Sequence, residues 1–247
     1  MPRRRPARAR VLLRARGAAP MTALRTDLRR NSLTLFFGAL FVAALVGQAI
    51  SGVALFNEEQ RSAGLDPIDI GEYVTTSAFA VDVTENWQSE FLQFLLFVVA
   101  TVFFLQRGSP ESKPLDDAGR ETDQEQKVAE FSTAESPSWA RVRGWRLSLY
   151  SRSLSLVMGT IFALSWLAQS VTGAVAYSEQ QMHDLQDPVT WTEYLLLPDF
   201  WSRTLQNWQS EFLAVASMVV LSIYLRERGS PESKPVGTPH TATGVEG

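Results

Sequence analysis

The 247-residue chain contains no cysteine and only two histidines, His183 and His240. The absence of cysteine excludes disulfides, thiolate metal sites and cysteine nucleophiles, and the scarcity of histidine argues against histidine-bound haem or zinc. The net charge of −3 is too small to indicate a nucleic-acid partner, and the basic residues form no single broad patch along the chain. The sequence therefore predicts no cofactor, no metal, no catalytic residue and no nucleic-acid partner.

Apolar residues are concentrated in four blocks, at residues 33–56, 87–105, 154–177 and 208–225. At about 1.5 Å per residue, helices over these blocks are about 27–36 Å long, which is enough to cross a hydrocarbon core of about 30 Å. A signal peptide is an alternative for the first block, because basic residues precede it and small residues follow it. The third block is of the same kind and lies in the middle of the chain, where a cleaved signal has no place. We therefore predict an all-α integral membrane protein with four transmembrane helices.

The second and fourth blocks belong to a longer sequence that occurs twice. Asn-Trp-Gln-Ser-Glu-Phe-Leu, an apolar run and Arg-Gly-Ser-Pro-Glu-Ser-Lys-Pro cover residues 86–114 and again residues 207–235. Residues 32–114 match residues 153–235 at 31 of 83 positions without gaps, and 15 of these identities lie in the two motifs. Each copy contains two predicted spans and therefore has the same orientation. The sequence thus predicts two parallel two-helix repeats, related by a pseudo-two-fold axis along the membrane normal.

Basic residues are distributed unevenly around the predicted spans. Ten precede the first span, eight lie between the second and third, and three follow the fourth, whereas each of the other two loops has one. Because lysine and arginine accumulate on the cytoplasmic side, we expect a multi-pass protein of the bacterial plasma membrane with both termini in the cytoplasm. The expected domains are a disordered basic tail at 1–30, repeat 1 at 31–114, a polar cytoplasmic linker at 115–150, repeat 2 at 151–235 and a disordered tail at 236–247.

The first 32 residues hold ten arginines and one acid. This segment is either a basic cytoplasmic tail or, in part, an over-long reading frame, with translation beginning at Met21 rather than Met1. Residues 1–20 show no periodic apolar face, so we expect disorder there in either case.

The two acidic outer loops each contain a helix start signal, Asp66-Pro67 in the first and Asp187-Pro188 in the second. Aspartate is a good N-cap, and proline at the first helical position loses no hydrogen bond. Trp191 follows the second signal. A short helix with aromatic residues beside a span is typical of the membrane interface, so we predict a short interfacial helix in each outer loop.

The repeated motifs have the composition expected at the two ends of one helix. The asparagines are good N-caps, the tryptophans suit the aromatic belt of a membrane, and the arginine-glycine pairs supply a cation and a left-handed cap at the other end. The residues are Asn86 and Asn207, Trp87 and Trp208, Arg107 and Arg228, and Gly108 and Gly229. The segment from Pro110 to Pro114 is longer than a helix stop requires, and the sequence alone does not explain why it is repeated intact.

The paired motifs are similar to those of a family of bacterial integral membrane proteins of unknown function. Supporting marks are Gln48, Ser51-Gly52 and Asn57-Glu58-Glu59-Gln60 in the first copy. The resemblance covers about residues 31–235. It implies a membrane location and this topology, and it brings no activity, cofactor or substrate with it.

Four polar residues within the predicted spans are candidates for a polar intramembrane site. Glu90 and Glu211 are the acids, each about 4–5 Å beyond its tryptophan, where a carboxylate suits the positive helix end better than a proton relay. Gln48 and Gln169 lie about 12 Å from the outer ends of their spans, with small residues one turn away on both sides. This pattern is typical of close helix packing with an interhelical hydrogen bond, and a pore or substrate contact is the alternative. Convergence of all four on the repeat axis would favour the alternative.

Three interpretations of function follow from these residues. The first is a non-enzymatic membrane protein with a structural or stress-related role. The second is a small permease or channel with a polar site on the inter-repeat axis. A membrane enzyme comes third, because the sequence offers no nucleophile–base pair or metal cluster. The expected partner is the lipid bilayer, with anionic headgroups at Arg107, Arg228, Lys113 and Lys234 as one option and plain topology marking as the other, and a homo-oligomer is compatible with the sequence.

Overall fold

A computed structural model describes residues 26–245 of the chain. These residues form helices and turns, without a β-strand in the described part. A helical stretch at 26–30 precedes helices α1 (Ser32–Ser62), α2 (Ile70–Tyr73), α3 (Ser77–Ala100), α4 (Trp145–Tyr150), α5 (Ser153–His183), α6 (Trp191–Tyr194) and α7 (Pro198–Tyr224). The predictions for residues 1–25 and 246–247, including the start at Met21, lie outside the described residues.

The all-α prediction is confirmed for this part of the chain. Helices α1 and α5 are each 31 residues long, with mean hydropathy of 2.2 and 1.6 over their most apolar stretches. Both are long and apolar enough to cross a membrane, and they contain the predicted spans at 33–56 and 154–177. Among the described helices, α1 and α5 alone meet this standard. These two helices are compatible with a membrane location.

The chain divides into two compact units, one ending at Val74 and the other beginning at Thr75. The first unit contains α1 and α2. The Asn57 side chain holds the loop between them by accepting the Ile68 N–H and donating to the Ile68 carbonyl, both at 2.8 Å. The ring of Tyr73 lies against Gly52 of α1, where a Cβ atom would come within 2.3 Å of the tyrosine hydroxyl oxygen. Glycine at position 52 therefore permits this close approach.

The second unit contains α3 to α7. Helix α3 packs most extensively on α5 and also packs on α7, while α5 packs on α6. Helices α3 and α5 run antiparallel. Ser77 at the start of α3 donates a 2.7 Å hydrogen bond to Glu179 near the end of α5, and Gly159 near the start of α5 faces Leu95 of α3.

The loop between α5 and α6 has the same geometry as the loop between α1 and α2. The Ser178 hydroxyl replaces the asparagine amide, accepting the Val189 N–H and donating to the Val189 carbonyl at 3.1 Å. Tyr194 lies against Gly173, where a Cβ atom would be 2.7 Å from the tyrosine hydroxyl oxygen. A glycine and a tyrosine at the same spacing thus hold a short helix against a long one in both units.

The two short helices exist, but they begin later than the sequence signals indicate. Each starts in a capping box, in which the N-cap side chain and a glutamate three residues on satisfy two main-chain N–H groups. The pairs are Asp69 with Glu72 and Thr190 with Glu193. The prediction that Asp66-Pro67 and Asp187-Pro188 start these helices is therefore wrong. A capping box satisfies one more main-chain N–H than a lone N-cap does, which favours the later start.

Helices α3 and α7 begin nine residues before the asparagines that were expected to cap them (77 against 86 and 198 against 207). The Thr76 side chain caps α3, and Pro198 occupies the first turn of α7. Asn86 and Asn207 lie inside the helices, where each amide donates to the carbonyl four residues earlier at 2.7 and 3.0 Å. Their predicted N-cap role is wrong, because this bond inside the helix uses the side chain instead.

The predicted helix stops also lie away from the helix ends. Helix α3 ends at Ala100 and α7 at Tyr224. Gly108 and Gly229 have the expected left-handed φ, +88° and +85°, but both lie in turns that follow the helices. The prediction that these glycines cap the helices is therefore wrong, and their left-handed conformation is used in the turns instead.

The linker and the C-terminal tail both contain short turns and main-chain hydrogen bonds. Three 3-10 helices form in the linker, at Leu115–Asp117, Ala129–Phe131 and Ser138–Arg141. The tail, residues 236–245, is bonded to the segment after α3, for example from the Gly244 N–H to the Ser109 carbonyl at 3.1 Å. Main-chain groups of these polar segments are thus paired within the protein.

Candidate functional site

Four charged side chains meet where α3 and α7 begin, with Arg203 of α7 at their centre. The Arg203 guanidinium lies 3.0 Å from a carboxylate oxygen of Glu85 and 3.5 Å from one of Asp82, both on α3. Asp199, one turn earlier on α7, lies 3.6 Å from Arg203 and accepts a 2.9 Å hydrogen bond from the Tyr194 hydroxyl. One cation therefore faces three carboxylates, and the Arg203 cluster (Asp82, Glu85, Asp199 and Arg203) links α3 and α7 and, through the Tyr194 bond, α6.

Partial burial changes the protonation of this cluster. Burial raises the pKa of Glu85 and of Asp82, and the attraction of Arg203 opposes that rise. Burial, together with the bond to Asp199, also raises the pKa of Tyr194, so its hydroxyl remains a hydrogen-bond donor at neutral pH. A lower pH therefore relieves the repulsion among the carboxylates.

A layer of buried polar side chains adjoins the cluster along α7. Gln169 of α5 is fully buried, and its amide nitrogen lies 3.4 Å from the Thr204 hydroxyl. Trp208 donates a 2.8 Å hydrogen bond to Gln88 of α3, which is also fully buried. Three polar atoms here, Gln88 Nε2, Gln169 Oε1 and Trp166 Nε1, have no hydrogen-bond partner among residues 26–245. This polar layer thus has two donors and one acceptor that could bind a small polar molecule.

A groove of about 290 Å³ lies between α3 and α7. Its eight lining residues form four pairs, and the members of each pair are 121 positions apart in the sequence. The pairs are Gln93 and Ala214, Phe94 and Val215, Phe97 and Met218, and Glu111 and Glu232. Equivalent positions of the two sequence copies therefore face each other across this paired groove.

Glu90 and Glu211, the two acids within the predicted spans, lie near the paired groove. Gln93, which lines the groove, donates a 3.4 Å hydrogen bond to the Glu211 carbonyl, and the Glu211 carboxyl group is close enough to Glu90 for their charges to interact. Both glutamates lie thirteen residues inside their helices (90 against 77 and 211 against 198). The positive end of a helix acts only over the first turn, so the predicted stabilisation of these carboxylates by a helix end is wrong.

The other predicted site residues have separate surroundings. Gln169 belongs to the polar layer, whereas Gln48 lies half-buried on α1 in the first unit. The structure thus places Glu211 beside the paired groove through the Gln93 bond to its carbonyl, and it places Gln169 in a layer that also contains residues of α3 and α7. A joint site that includes Gln48 stays a prediction.

The four predicted membrane anchors lie in different environments. Trp87 is 41% exposed, whereas Trp208 is half-buried and bonded within the polar layer. Arg107 and Arg228 are exposed and form no ion pair with any described residue. Their contact with a membrane surface stays a prediction.

The arginine-glycine motifs form the same structure in both copies, here named the basic loops (residues 106–114 and 227–235). The Ser112 hydroxyl accepts the Gln106 N–H at 2.8 Å, and Ser233 makes the equivalent bond at 2.9 Å. The other serine of each copy, Ser109 or Ser230, accepts the N–H two residues on at 3.2 Å. Because these bonds close the loops, both serines of each copy have a structural role, which accounts for the repetition of the serines.

The lysine of each basic loop donates to the carbonyl six residues later. Lys113 reaches Gly119 at 3.1 Å, and Lys234 reaches His240 at 3.0 Å. Lys234 is 1% exposed and also donates to the Gly108 carbonyl of the other basic loop at 2.6 Å and to two further carbonyls of the tail. Burial lowers the pKa of Lys234. The carbonyls replace water around the ammonium group and bind the tail to the loop after α3.

Sequence reasoning missed the Arg203 cluster and the Lys234 contacts. The available signal for Arg203 is its position as the single base of an acidic loop. Lys234 has no comparable signal, because its partners are main-chain carbonyls, which every residue carries. In the described part of the chain, no three histidine, aspartate or glutamate side chains are placed to hold a metal ion.

We expect Arg203→Gln to destabilise the protein more at pH 7 than at pH 5. Without the guanidinium, Glu85 and Asp82 are repelling carboxylates whose folded-state pKa lies above the unfolded value. Such groups oppose folding when ionised, and the opposition fades as the pH falls through the folded-state pKa. The cluster is partly exposed, so the free energy of unfolding at pH 7 should fall by about 1 kcal/mol. Thermal unfolding in detergent at the two pH values measures it.

The matched control for this substitution is Arg61→Gln. Arg61 is the single base of the first acidic loop and forms no ion pair among the described residues. We expect the control to unfold like the wild type at both pH values. A loss from Arg203→Gln that is equal at pH 5 and pH 7 would contradict the role assigned to the carboxylates.

We expect Gly108→Ala to release the C-terminal tail. A Cβ atom at position 108 would lie 2.3 Å from the His240 carbonyl oxygen. The chain has no cysteine, so maleimide labelling of an added Ala242→Cys reports on the tail alone. Labelling should rise by roughly tenfold, the equivalent of about 1.4 kcal/mol of overpacking.

Gly229→Ala is the matched control for the tail experiment. Gly229 has a φ of +85°, close to the +88° of Gly108, but a Cβ atom there has no neighbour within 4 Å. Both alanines carry the same left-handed strain. If both substitutions raise labelling equally, strain in the loop rather than contact with His240 holds the tail.

Comparison with known protein families matches most of the chain to one family. No curated protein and no solved structure matches it. A family model described as Domain of unknown function (DUF6766) matches residues 24–245, a range that contains the Arg203 cluster, the polar layer, the paired groove and both basic loops. The chain therefore belongs to the DUF6766 family.

Proposed function

We propose that this protein is a four-span protein of the bacterial plasma membrane, built from two parallel repeats, with a structural or stress-related role and no catalytic site. The observation that carries the proposal is that residues repeated in both copies make the same bonds to the protein's own main chain. The serines of the basic loops and the asparagines of α3 and α7 are the main examples. Their repetition is accounted for by folding, without a ligand.

The proposed spans are α1, α3, α5 and α7. Helices α1 and α5 have the hydropathy of a span, and α3 and α7, with 24 and 27 residues, are long enough. Their lengths correspond to about 36 and 40 Å. These lengths exceed a hydrocarbon core of about 30 Å, so the first turns of α3 and α7, with the Arg203 cluster, lie at the membrane surface, where Arg203 offsets part of the charge of its three carboxylates. The linker, the tail and both termini then lie in the cytoplasm.

A second candidate is a small cation permease or channel on the axis between the repeats. The paired groove favours it, because equivalent positions face each other there and Glu111 and Glu232 line it. Carboxylates along an axis between membrane helices attract cations. The apolar side chains of Phe97 and Met218 in the same groove oppose a continuous water path, so the structural role remains the first candidate.

We expect reporter fusions to place the linker and the C-terminal end on the same side of the membrane. A reporter that works only in the cytoplasm should be active when it is fused after Glu135 or after Pro235. It should be inactive when it is inserted after Gln186, in the loop that follows α5. Four spans require this alternation. Opposite readings at Glu135 and Pro235 would mean that α5 and α7 do not both cross, and the proposal would fail.

We expect purified protein in vesicles to carry no proton flux above that of empty vesicles. A pH-sensitive dye trapped inside the vesicles measures the flux. A wild-type flux that disappears in stably inserted Glu90→Gln/Glu211→Gln and Gln48→Leu/Gln169→Leu variants would overturn the structural proposal in favour of the permease. Glu135→Gln is the control, because Glu135 is exposed in the linker, outside every proposed span.

A further inference from the structure

We propose that a cleft between the end of α3 and the start of α5 binds one anionic phospholipid of the inner leaflet, an inference that rests on the membrane arrangement proposed for the protein. The cleft has a volume of about 770 Å³. Its floor comes from apolar side chains of the two helix ends, and its rim comes from charged residues of the linker. A headgroup with part of an acyl chain is an occupant of suitable size and polarity for such a cleft.

The apolar floor consists of side chains that the protein itself leaves uncovered. Val99 and Phe103, at and after the end of α3, are 41% and 53% exposed, and Leu154 and Leu156 of α5 are 54% and 46% exposed. All four line the cleft. Exposed apolar side chains next to a charged rim favour an amphiphile over a soluble anion, because burying them against an acyl chain is favourable.

Two arginines of the rim are available for a phosphate. Arg120 and Arg152 line the cleft and form no ion pair with any described residue. The Arg120 guanidinium lies 6.0 Å from the centre of the Phe103 ring, which keeps it above the apolar floor. The third cation, Lys113, is already paired with Glu121 at 2.8 Å. Asp123 is the remaining acid of the rim, so the free charges of the cleft favour an anion.

The start of α5 adds main-chain donors to the same rim. Arg152 is the N-cap of this 31-residue helix, and no side chain caps its first turn. Leu154 and Ser155 of that turn line the cleft. The uncapped N–H groups and the positive helix end are suited to a phosphate group. The cleft thus contains two free arginines and the uncapped start of a helix at one position.

The test uses the full-length protein in detergent and native mass spectrometry with added lipid. We expect dioleoylphosphatidylglycerol to bind about tenfold or more tightly than dioleoylphosphatidylcholine, since each of the two arginines near a headgroup adds about fivefold. Arg120→Gln/Arg152→Gln should abolish this preference. Arg120→Lys/Arg152→Lys keeps the charges and should retain most of it, which also shows whether the cleft still folds. Thermal unfolding of each variant is recorded alongside.

The matched control is Arg29→Gln/Arg30→Gln, which removes two exposed basic residues outside the cleft. We expect it to keep the preference for phosphatidylglycerol. An equal loss in the control would mean that diffuse surface charge attracts the lipid, and the cleft would not be a site.

A separate measurement adds inorganic phosphate as a competitor of the bound lipid. If millimolar phosphate displaces the lipid fully, the rim binds a free anion and the lipid assignment is overturned.

Failure of this inference is distinguishable from failure of the membrane arrangement. Lipid binding in detergent does not depend on orientation, whereas the reporter fusions after Glu135 and Pro235 measure orientation alone. Cytoplasmic reporters with no preference between the two lipids would overturn the cleft and keep the topology. If the lipid preference is lost in Arg120→Gln/Arg152→Gln but a reporter reads as external, the cleft is still a lipid site. Its assignment to the inner leaflet is then overturned.

Discussion

Main-chain N–H and C=O groups in the turns that follow a helix must find partners, and the protein meets this constraint with polar side chains at equivalent positions of the two copies. Asn57 and Ser178 each bond both main-chain groups of a residue eleven positions later. Ser112 and Ser233 each accept the N–H six positions earlier. Each loop is therefore closed by a polar side chain that acts on the backbone, and such a side chain is no longer available to a ligand.

The same constraint explains where prediction from sequence succeeds and where it fails. Helices α1 and α5 are predictable because an uninterrupted apolar run of span length has few alternatives to a helix. The starts of α3 and α7 are not, because Asn86 and Asn207 are residues that can cap a helix or bond to a carbonyl inside it. The choice depends on the preceding turns, which carry acids and short polar side chains and still continue the helix.

The Arg203 cluster shows a different limit of sequence reasoning. Positions 82 and 203 are equivalent in the two copies, and they hold an aspartate and an arginine. In a comparison of the copies this difference counts as lost similarity. In the structure it produces an attraction across the α3–α7 contact, where two aspartates would repel. By contrast, positions 90 and 211 are equivalent in the two copies and both hold a glutamate.

The two ends of the helices differ in whether their basic side chains are paired with acids of the protein. At the end where α3 and α7 begin, Arg203 is surrounded by three carboxylates, so its charge is used within the protein. At the opposite end, Arg120 and Arg152 have no acidic partner among the described residues, while Lys234 is enclosed by carbonyls. Unpaired cations beside exposed apolar side chains are favourable only where an anionic amphiphile or the headgroup region can meet both. The end that contains the basic loops therefore carries the unpaired cations, which supports the proposed binding of an anionic lipid there.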